Sequence, residues 1–382
     1  MISYGRQYID SDDIRAVVKV LKSSWLTQGP QIERFESSLK KYFKAKYCTA
    51  VSSGTAALHL VALSLGWKKN DIVITSPITF LATSNCIIYS GATPEFVDIE
   101  NKYFTIDVQK LEKKIKFLKK KGKKIVSIIA TDYAGHPCDW VSLRKIADNY
   151  DITLINDNCH ALGARINNDQ GYAIKYADLV THSYHPVKNI TTGEGGAVLT
   201  NNKILDNKIK SLRTHGVDHS KNKLWFYEMT DLGFNYRISE IQCALGISQL
   251  KKLEIFIKKR EKISKIYNNI FKKKENFLIP QTKKDNKHAY HLYPLRINFK
   301  KLNINKEVFF RYLKKKKIKL QVHYIPIYRQ PYYKKKFKFN KSNFPIAEKF
   351  YEQEVSLPIY FSLKEKEIKY IINSIINFFK KK

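Results

Sequence analysis

The sequence predicts an α/β fold built on a mostly parallel central sheet, followed by a smaller α+β portion. Three observations predict it. Short β-rich runs alternate with longer amphipathic segments over the first 200 residues, which is the pattern of a layered sheet with crossover helices. The alternation stops near residue 238, where a long helical pattern begins. Hydrophobic residues make up 43% of the 382-residue chain and aromatics 13%, ample for a large domain and a smaller one and unlike a disordered chain.

Taken in order, the expected strands are 47–51, 72–75, 95–98, 125–130, 152–156, 179–183 and 197–200. Between them, apolar residues at helical spacing predict helices over 55–65, 79–89, 108–118 and 141–150. From 238 to 267, Ile241, Leu245, Leu250, Leu253 and Ile257 mark one long helix that would link the domains. Beyond it come strands over 291–298 and 320–323 and helices over 306–315 and 364–379. The expected division is therefore a large domain over 1–245 and a small C-terminal domain over 246–382. In such sheets ligands collect at the carboxyl ends of the strands, and the motifs below sit there.

The net charge of +35 is unevenly spread. Residues 251–382 hold 36 Lys+Arg against 10 Asp+Glu, whereas residues 1–250 hold 33 against 24. A basic nucleic-acid-binding protein is the alternative that this raises. The excess is almost all lysine, in runs such as Lys314 to Lys317, without arginine forks or a recognisable binding module, so no nucleic-acid partner is expected. A positive field would still attract an anionic small substrate. Five scattered cysteines form no CxxC pair, so neither a disulfide framework nor a metal site is expected. No apolar run reaches the roughly 20 residues that span a bilayer, and the opening residues lack a signal peptide's apolar stretch, so the expectation is a cytoplasmic protein without a membrane partner.

Three constellations carry chemistry. Ser52-Ser53-Gly54-Thr55-Ala56-Ala57-Leu58 joins a strand to a helix, where small residues admit a ligand and free N–H groups favour an anion such as phosphate. Taken alone, the stretch reads first as an ordinary serine or threonine helix cap. Asn156-Asp157-Asn158-Cys159-His160 ends an apolar strand; Asp157 there either caps a helix or faces a cation such as a protonated ring nitrogen. His160, one helical turn on, could reach the same ligand or be a core histidine. Ser183-Tyr184-His185-Pro186-Val187-Lys188 leads to Gly193, Gly195 and Gly196 and holds one lysine between two short strands of low charge. A lysine partly withdrawn from water has its ammonium form disfavoured and becomes a usable nucleophile, although a solvent-facing turn would read the same. An anion cradle, a strand-end carboxylate and a sheltered lysine together are what a pyridoxal 5′-phosphate (PLP) site needs.

With these residues the sequence resembles the DegT/DnrJ/EryC1/StrS sugar aminotransferase family over essentially its whole length. The resemblance rests on Trp25 to Pro30, Ser53 to Leu58, Pro77 to Thr83, Asp157 to Gly163, Ser183 to Gly196, Arg213 to Gly216 and Gly233 to Arg237. It implies the aspartate aminotransferase-like fold (PLP fold type I), with Lys188 as the catalytic lysine that binds PLP covalently. Asp157 would pair with the pyridine nitrogen, His160 would lie near the ring hydroxyl, and Phe80 would stack on the ring. Gly54, Thr55 and Ser183 would hold the phosphate, with Asn235 reaching in from the second subunit of a homodimer. Tyr4, Trp25, Leu26 and Thr27, with His323, Tyr324, Ile325 and Pro326, would contact substrate. The implied substrates are a UDP-linked 4-keto-6-deoxy sugar and L-glutamate as amino donor; other 4-keto or 3-keto nucleotide sugars are the alternative. A sugar dehydratase on the same fold is the other reading, but that branch carries histidine where this chain has Lys188. Asn158-Cys159 departs from the two alanines that many members have.

Overall fold

Seven strands form the central sheet of the computed structural model, which describes residues 1–218 and 225–380. They are β1 (Tyr47–Val51), β2 (Asp71–Thr75), β3 (Thr93–Phe96), β4 (Lys124–Thr131), β5 (Thr153–Asp157), β6 (Leu179–Ser183) and β7 (Gly196–Thr200). Their order across the sheet is β1-β7-β6-β5-β4-β2-β3. The β2–β3, β2–β4, β4–β5 and β5–β6 pairs are parallel. Only β7 opposes the rest, lying antiparallel between β1 and β6. Its reversal brings Gly196, at its start, beside Val51 and Ser183, at the ends of its two neighbours. One edge of the sheet thus gathers the loops after Val51, Thr75, Thr131, Asp157 and Ser183 together with the loop before Gly196.

The strands are apolar on both faces because helices cover both. Ile74, Ile128, Leu154 and Val180 join a core with Phe35, Leu143, Phe256 and Ile257 on one side. Val73, Ile129, Ile155 and Leu179 join Leu58, Leu60 and Ile87 on the other. A further core, from Ile263 to Phe378, surrounds a three-stranded sheet of β8 (Phe277–Leu278), β9 (Tyr293–Ile297) and β10 (Glu354–Leu357). Helix Leu253–Phe271 serves two of these cores: Leu253, Phe256 and Ile257 pack under the central sheet, and Ile263, Tyr267 and Phe271 pack in the C-terminal core. Among the described residues no helix is long and apolar enough to cross a membrane.

Three expected elements need correction. The strand placed at 95–98 lies two residues earlier, and Asp98 instead accepts the N–H groups of Ile346 and Ala347. The stretch 320–323 is not a strand; only Gln321 pairs, in an isolated bridge with Ser356. The long helix over 238–267 is two helices, Glu240–Lys251 and Leu253–Phe271, meeting at Lys252. There the Lys252 ammonium leaves the helix surface to bind Asp10 at 2.7 Å and Asp13 at 2.6 Å, pinning the break to the first helix's capping box. No proline or glycine marks that break.

Candidate active site

The lysine loop is fixed from both sides. Tyr184 N–H donates to the Gly195 carbonyl at 2.8 Å, Thr192 N–H returns to the Tyr184 carbonyl at 3.0 Å, and the Asn189 amide bonds the Leu162 carbonyl at 2.8 Å. Gly193 has φ of +84°, a left-handed conformation that glycine adopts without strain. Lys188, part-buried on this loop, has no ion-pair partner among the described residues. Burial pushes its pKa down, and the nearby Asp157 carboxylate opposes that only in part. The amine is therefore closer to its nucleophilic form than an exposed lysine would be.

Asp157 ends β5 and is buried. Its Oδ2 accepts the Thr83 hydroxyl at 2.6 Å and its Oδ1 accepts the Cys159 N–H at 3.2 Å. Thr83 donates to the carboxylate, so it accepts from Thr79 (2.8 Å), which in turn accepts from Thr131 (3.0 Å). This hydroxyl chain runs from the end of β4 through the loop after β2 and the helix that follows it, and aims Asp157. No helix follows it, so Asp157 is not a helix cap, and His160 sits in a turn rather than one helical turn on. His160 is nonetheless delivered to the same place. Its Nδ1 accepts the Ala134 N–H at 3.3 Å, which leaves Nε2–H to donate to the Tyr324 hydroxyl at 3.0 Å.

His160, His291 and His323 all feel the Lys188 charge, and burial, their leading cause, holds all three neutral, His323 at about 3. Burial likewise raises the Tyr324 phenol. The Tyr324 ring lies 6.0 Å from Phe80, which is 54% exposed and free on one side to meet a ligand. Tyr4 stands 5.0 Å from the His323 ring. Phe80, Tyr324 and Ile325 line a cleft of about 680 Å³ shared with Lys306, Phe310 and Tyr351. A larger groove of about 750 Å³ runs along β3 and contains none of the expected site residues.

Ser53 caps the helix that follows β1, its hydroxyl accepting the Ala56 N–H at 3.0 Å. Gly54 and Thr55 are the first two helical residues, so their N–H groups have no carbonyl partner within the helix. Both readings of this loop thus apply to different atoms. A Cβ on Gly54 would fall 2.7 Å from the Ser183 Cβ, and one on Gly196 would fall 2.4 Å from the Ser53 carbonyl oxygen. Only hydrogens fit where the two loops meet. Lys188, Asp157, His160, His323 and Tyr324 are therefore brought together electrostatically or by bonds, with Tyr4 and Phe80 against them and Gly54, Thr55 and Ser183 at the adjoining strand ends.

Four expected residues lie apart. Asn235 is exposed, its backbone paired with Thr214, although the next carbonyl, that of Tyr236, accepts the Ser52 N–H at 2.8 Å. Trp25, Leu26 and Thr27 are also exposed and run beside the start of helix Glu240–Lys251, where Leu26 accepts the Glu240 N–H at 3.0 Å and Thr27 bridges Ser239. Pro326 is buried and Ile325 is 43% exposed. Residues that sequence reasoning missed include Thr83, which lay unremarked inside a quoted motif, and the buried pair Glu354 and Ser356. The Glu354-Val355-Ser356-Leu357 alternation of β10 gives no sign that its polar face is buried.

A profile of the DegT/DnrJ/EryC1/StrS aminotransferase family matches residues 7–376. The chain belongs to that family. It is 40% identical over 381 residues to a UDP-4-amino-4,6-dideoxy-N-acetyl-β-L-altrosamine transaminase of Campylobacter jejuni, covering 100% of this chain and 98% of that protein. Helicobacter pylori PseC, an aminotransferase of pseudaminic acid biosynthesis, superposes with a TM-score of 0.89 at 34% identity, with 100% of both chains covered. The PLP form of the sugar aminotransferase Spr1654 from Streptococcus pneumoniae does so with a TM-score of 0.89 at 27% identity, covering 99% and 98%.

As a DegT/DnrJ/EryC1/StrS aminotransferase the chain is PLP-dependent, and its residues fit that cofactor. The Asp157 carboxylate uses two hydrogen-bond donors and has acceptor capacity left for a cationic ring nitrogen. The bare Gly54 backbone packed against the Ser183 side chain, beside two helix N–H groups with no carbonyl partner within the helix, suits a phosphate. Lys188 supplies an amine that forms no ion pair among the described residues.

Proposed function

We propose that this aminotransferase moves the amino group of L-glutamate to C4 of UDP-2-acetamido-2,6-dideoxy-β-L-arabino-hex-4-ulose. The product is UDP-4-amino-4,6-dideoxy-N-acetyl-β-L-altrosamine, a step of pseudaminic acid biosynthesis. The observation that carries this reading is the end-to-end similarity to the C. jejuni transaminase of that product, with 100% of this chain covered. When bound, the cofactor supplies an electron-accepting ring that stabilises the electron pair of a breaking Cα–H bond. The catalytic Lys188, with its amine held out of water, takes the proton from one carbon and returns it to another. Asp157 keeps negative charge where the ring nitrogen must stay protonated, and the Thr131–Thr79–Thr83 chain holds that carboxylate in place. Neutral His160 and Tyr324 offer hydrogen bonds without adding charge beside the lysine. Gly54, Thr55 and Ser183 take the phosphate, and Phe80 covers the ring.

In this reading Tyr4 and His323 to Pro326 contact the sugar, and residues 1–245 and 246–382 act as two domains. A homodimer completes the site. Ile14, Val18, Leu21, Trp25 and Leu26 form an exposed apolar face that a second copy would cover, and Asn235 and Trp25 to Thr27 would then serve the neighbouring site. Product analysis by NMR after incubation with glutamate and the β-L-arabino ketone tests the assignment. A higher specificity constant for the C5-epimeric D-xylo ketone, or for a 3-keto sugar, would replace this substrate while leaving the aminotransferase chemistry intact.

A further inference from the structure

His323 is held by a relay of two residues outside the recognised motifs. Loop 321–323 lies against β10, where Ser356 N–H donates to the Gln321 carbonyl at 2.8 Å. Glu354, fully buried at the start of that strand, receives the His323 backbone N–H on Oε2 at 3.0 Å and the Ser356 hydroxyl on Oε1 at 2.5 Å. Two residues along the same strand face, Ser356 Oγ also lies 2.8 Å from His323 Nδ1. A hydroxyl has one proton, and an ionised carboxylate can only accept. The Ser356 proton therefore points to Glu354, and Ser356 Oγ must accept from the ring. His323 carries its proton on Nδ1.

We infer that Glu354 and Ser356 are positioning residues that lock His323 in its Nδ1–H form, leaving Nε2 as a hydrogen-bond acceptor for the active site. Tyr133 holds the same loop by donating its hydroxyl to the His323 carbonyl. Nε2 has no hydrogen-bond partner among the described residues. What it can take is a donor: a sugar hydroxyl or amide N–H, or the amine of Lys188, whose charge acts on this ring. A ring locked in the opposite form would present N–H and select an oxygen acceptor instead, so the relay sets the polarity of this contact. The inference deepens the proposed reading, because a hydroxylated, N-acetylated sugar supplies such donors, but the tautomer itself does not depend on which sugar is used. Burial raises the Glu354 carboxyl to about 7, with the Lys306 charge and the bonds from Ser356 and the His323 N–H opposing it. The ionised form is therefore favoured on the alkaline side of neutrality.

The test is long-range nitrogen–proton NMR on holoenzyme labelled with ¹⁵N-histidine at about pH 8.5, with His323 assigned by loss of its signals in His323→Gln. The expected result is protonated Nδ1 and bare Nε2 in the native protein. Ser356→Ala, which removes one buried oxygen, should shift the ring toward the Nε2–H form and lower kcat/KM about tenfold, and Ser356→Thr should restore both. Glu354→Gln should act like Ser356→Ala; if it fails to fold, the Ser356 pair decides alone. Nε2–H in the native protein, or an unchanged Nδ1–H form in Ser356→Ala, would overturn the relay. Preference for another ketone with the native tautomer intact would overturn the substrate assignment alone.

Discussion

Gly54→Ala is the sharpest probe of the phosphate cradle, because it adds one methyl group to a wall with no room. The new Cβ would lie 2.7 Å from Ser183 Cβ, 3.2 Å from its Oγ and 3.3 Å from its Cα. Ordinary contact begins near 3.4 Å, so β6 and the helix start must separate by about 0.7 Å. Helix propensity favours alanine, by at most about 1 kcal/mol, whereas overpacking costs about 1–3 kcal/mol, and here the nearest obstacle is the Ser183 Cβ, which no rotamer change moves away. The strain falls on the atoms that hold phosphate. PLP affinity should therefore drop about tenfold for each 1.4 kcal/mol, or roughly 5- to 150-fold in all. Titrating apoenzyme with PLP by fluorescence quenching measures this directly. Adding Ser183→Gly removes the clashing side chain and should recover thermal stability without recovering affinity, because the Ser183 hydroxyl is lost with it. Native PLP affinity in Gly54→Ala, or full recovery of affinity in the double variant, would refute the cradle.

Three further outcomes follow from the same site and from the buried histidines. Lys188→Ala should abolish transamination and leave the circular-dichroism spectrum native, since no ion pair among the described residues depends on the ammonium; measurable turnover would remove Lys188 from its role. In the proposed homodimer with Asn235 serving the neighbouring site, inactive Lys188→Ala and Asn235→Ala chains should recover activity when refolded together, because a hybrid dimer would contain one site free of both changes; inactivity in verified hybrids would mean that each site is built from one chain. His136 is buried, its Nε2 accepts the Lys283 N–H, and burial lowers its pKa to about 4. A histidine depressed below its unfolded value near 6.5 stabilises the fold fully above that value, and the contribution, about 3 kcal/mol for this ring, is lost as pH falls from 6.5 toward 4. Thermal melts should show that loss, and it should shrink in His136→Gln.

Much of the sheet and the catalytic loop was legible from short-range pattern. Apolar runs ending in Asp157 and Ser183 announce buried strands with functional residues at their tips, and the glycines after Lys188 mark where two loops meet. What was hidden depends on partners remote in sequence. The break at Lys252 follows from its ion pairs with Asp10 and Asp13, more than 200 residues away, while the helical spacing runs through it unchanged. The alternating stretch 320–323 looks like a strand because alternation alone cannot tell a strand from a loop anchored by one bridge. Glu354 and Ser356 read as surface positions of a half-buried strand until the loop that covers them is in place.

Helix Leu253–Phe271, whose two ends belong to different cores, has a thermodynamic consequence. Arg260, near its middle, donates to the carbonyls of Tyr290, His291 and Ile359, so loosening the C-terminal core would strand a buried guanidinium on a helix whose other end packs under the central sheet. The C-terminal portion therefore has no low-energy route to melt while the central sheet stays folded. Calorimetry should record a single endotherm, with the calorimetric and van't Hoff enthalpies of each folded unit in agreement. Arg260→Met, which keeps the volume and discards the charge, should split or broaden it. In this chain cooperativity between two hydrophobic cores passes through one helix and one arginine.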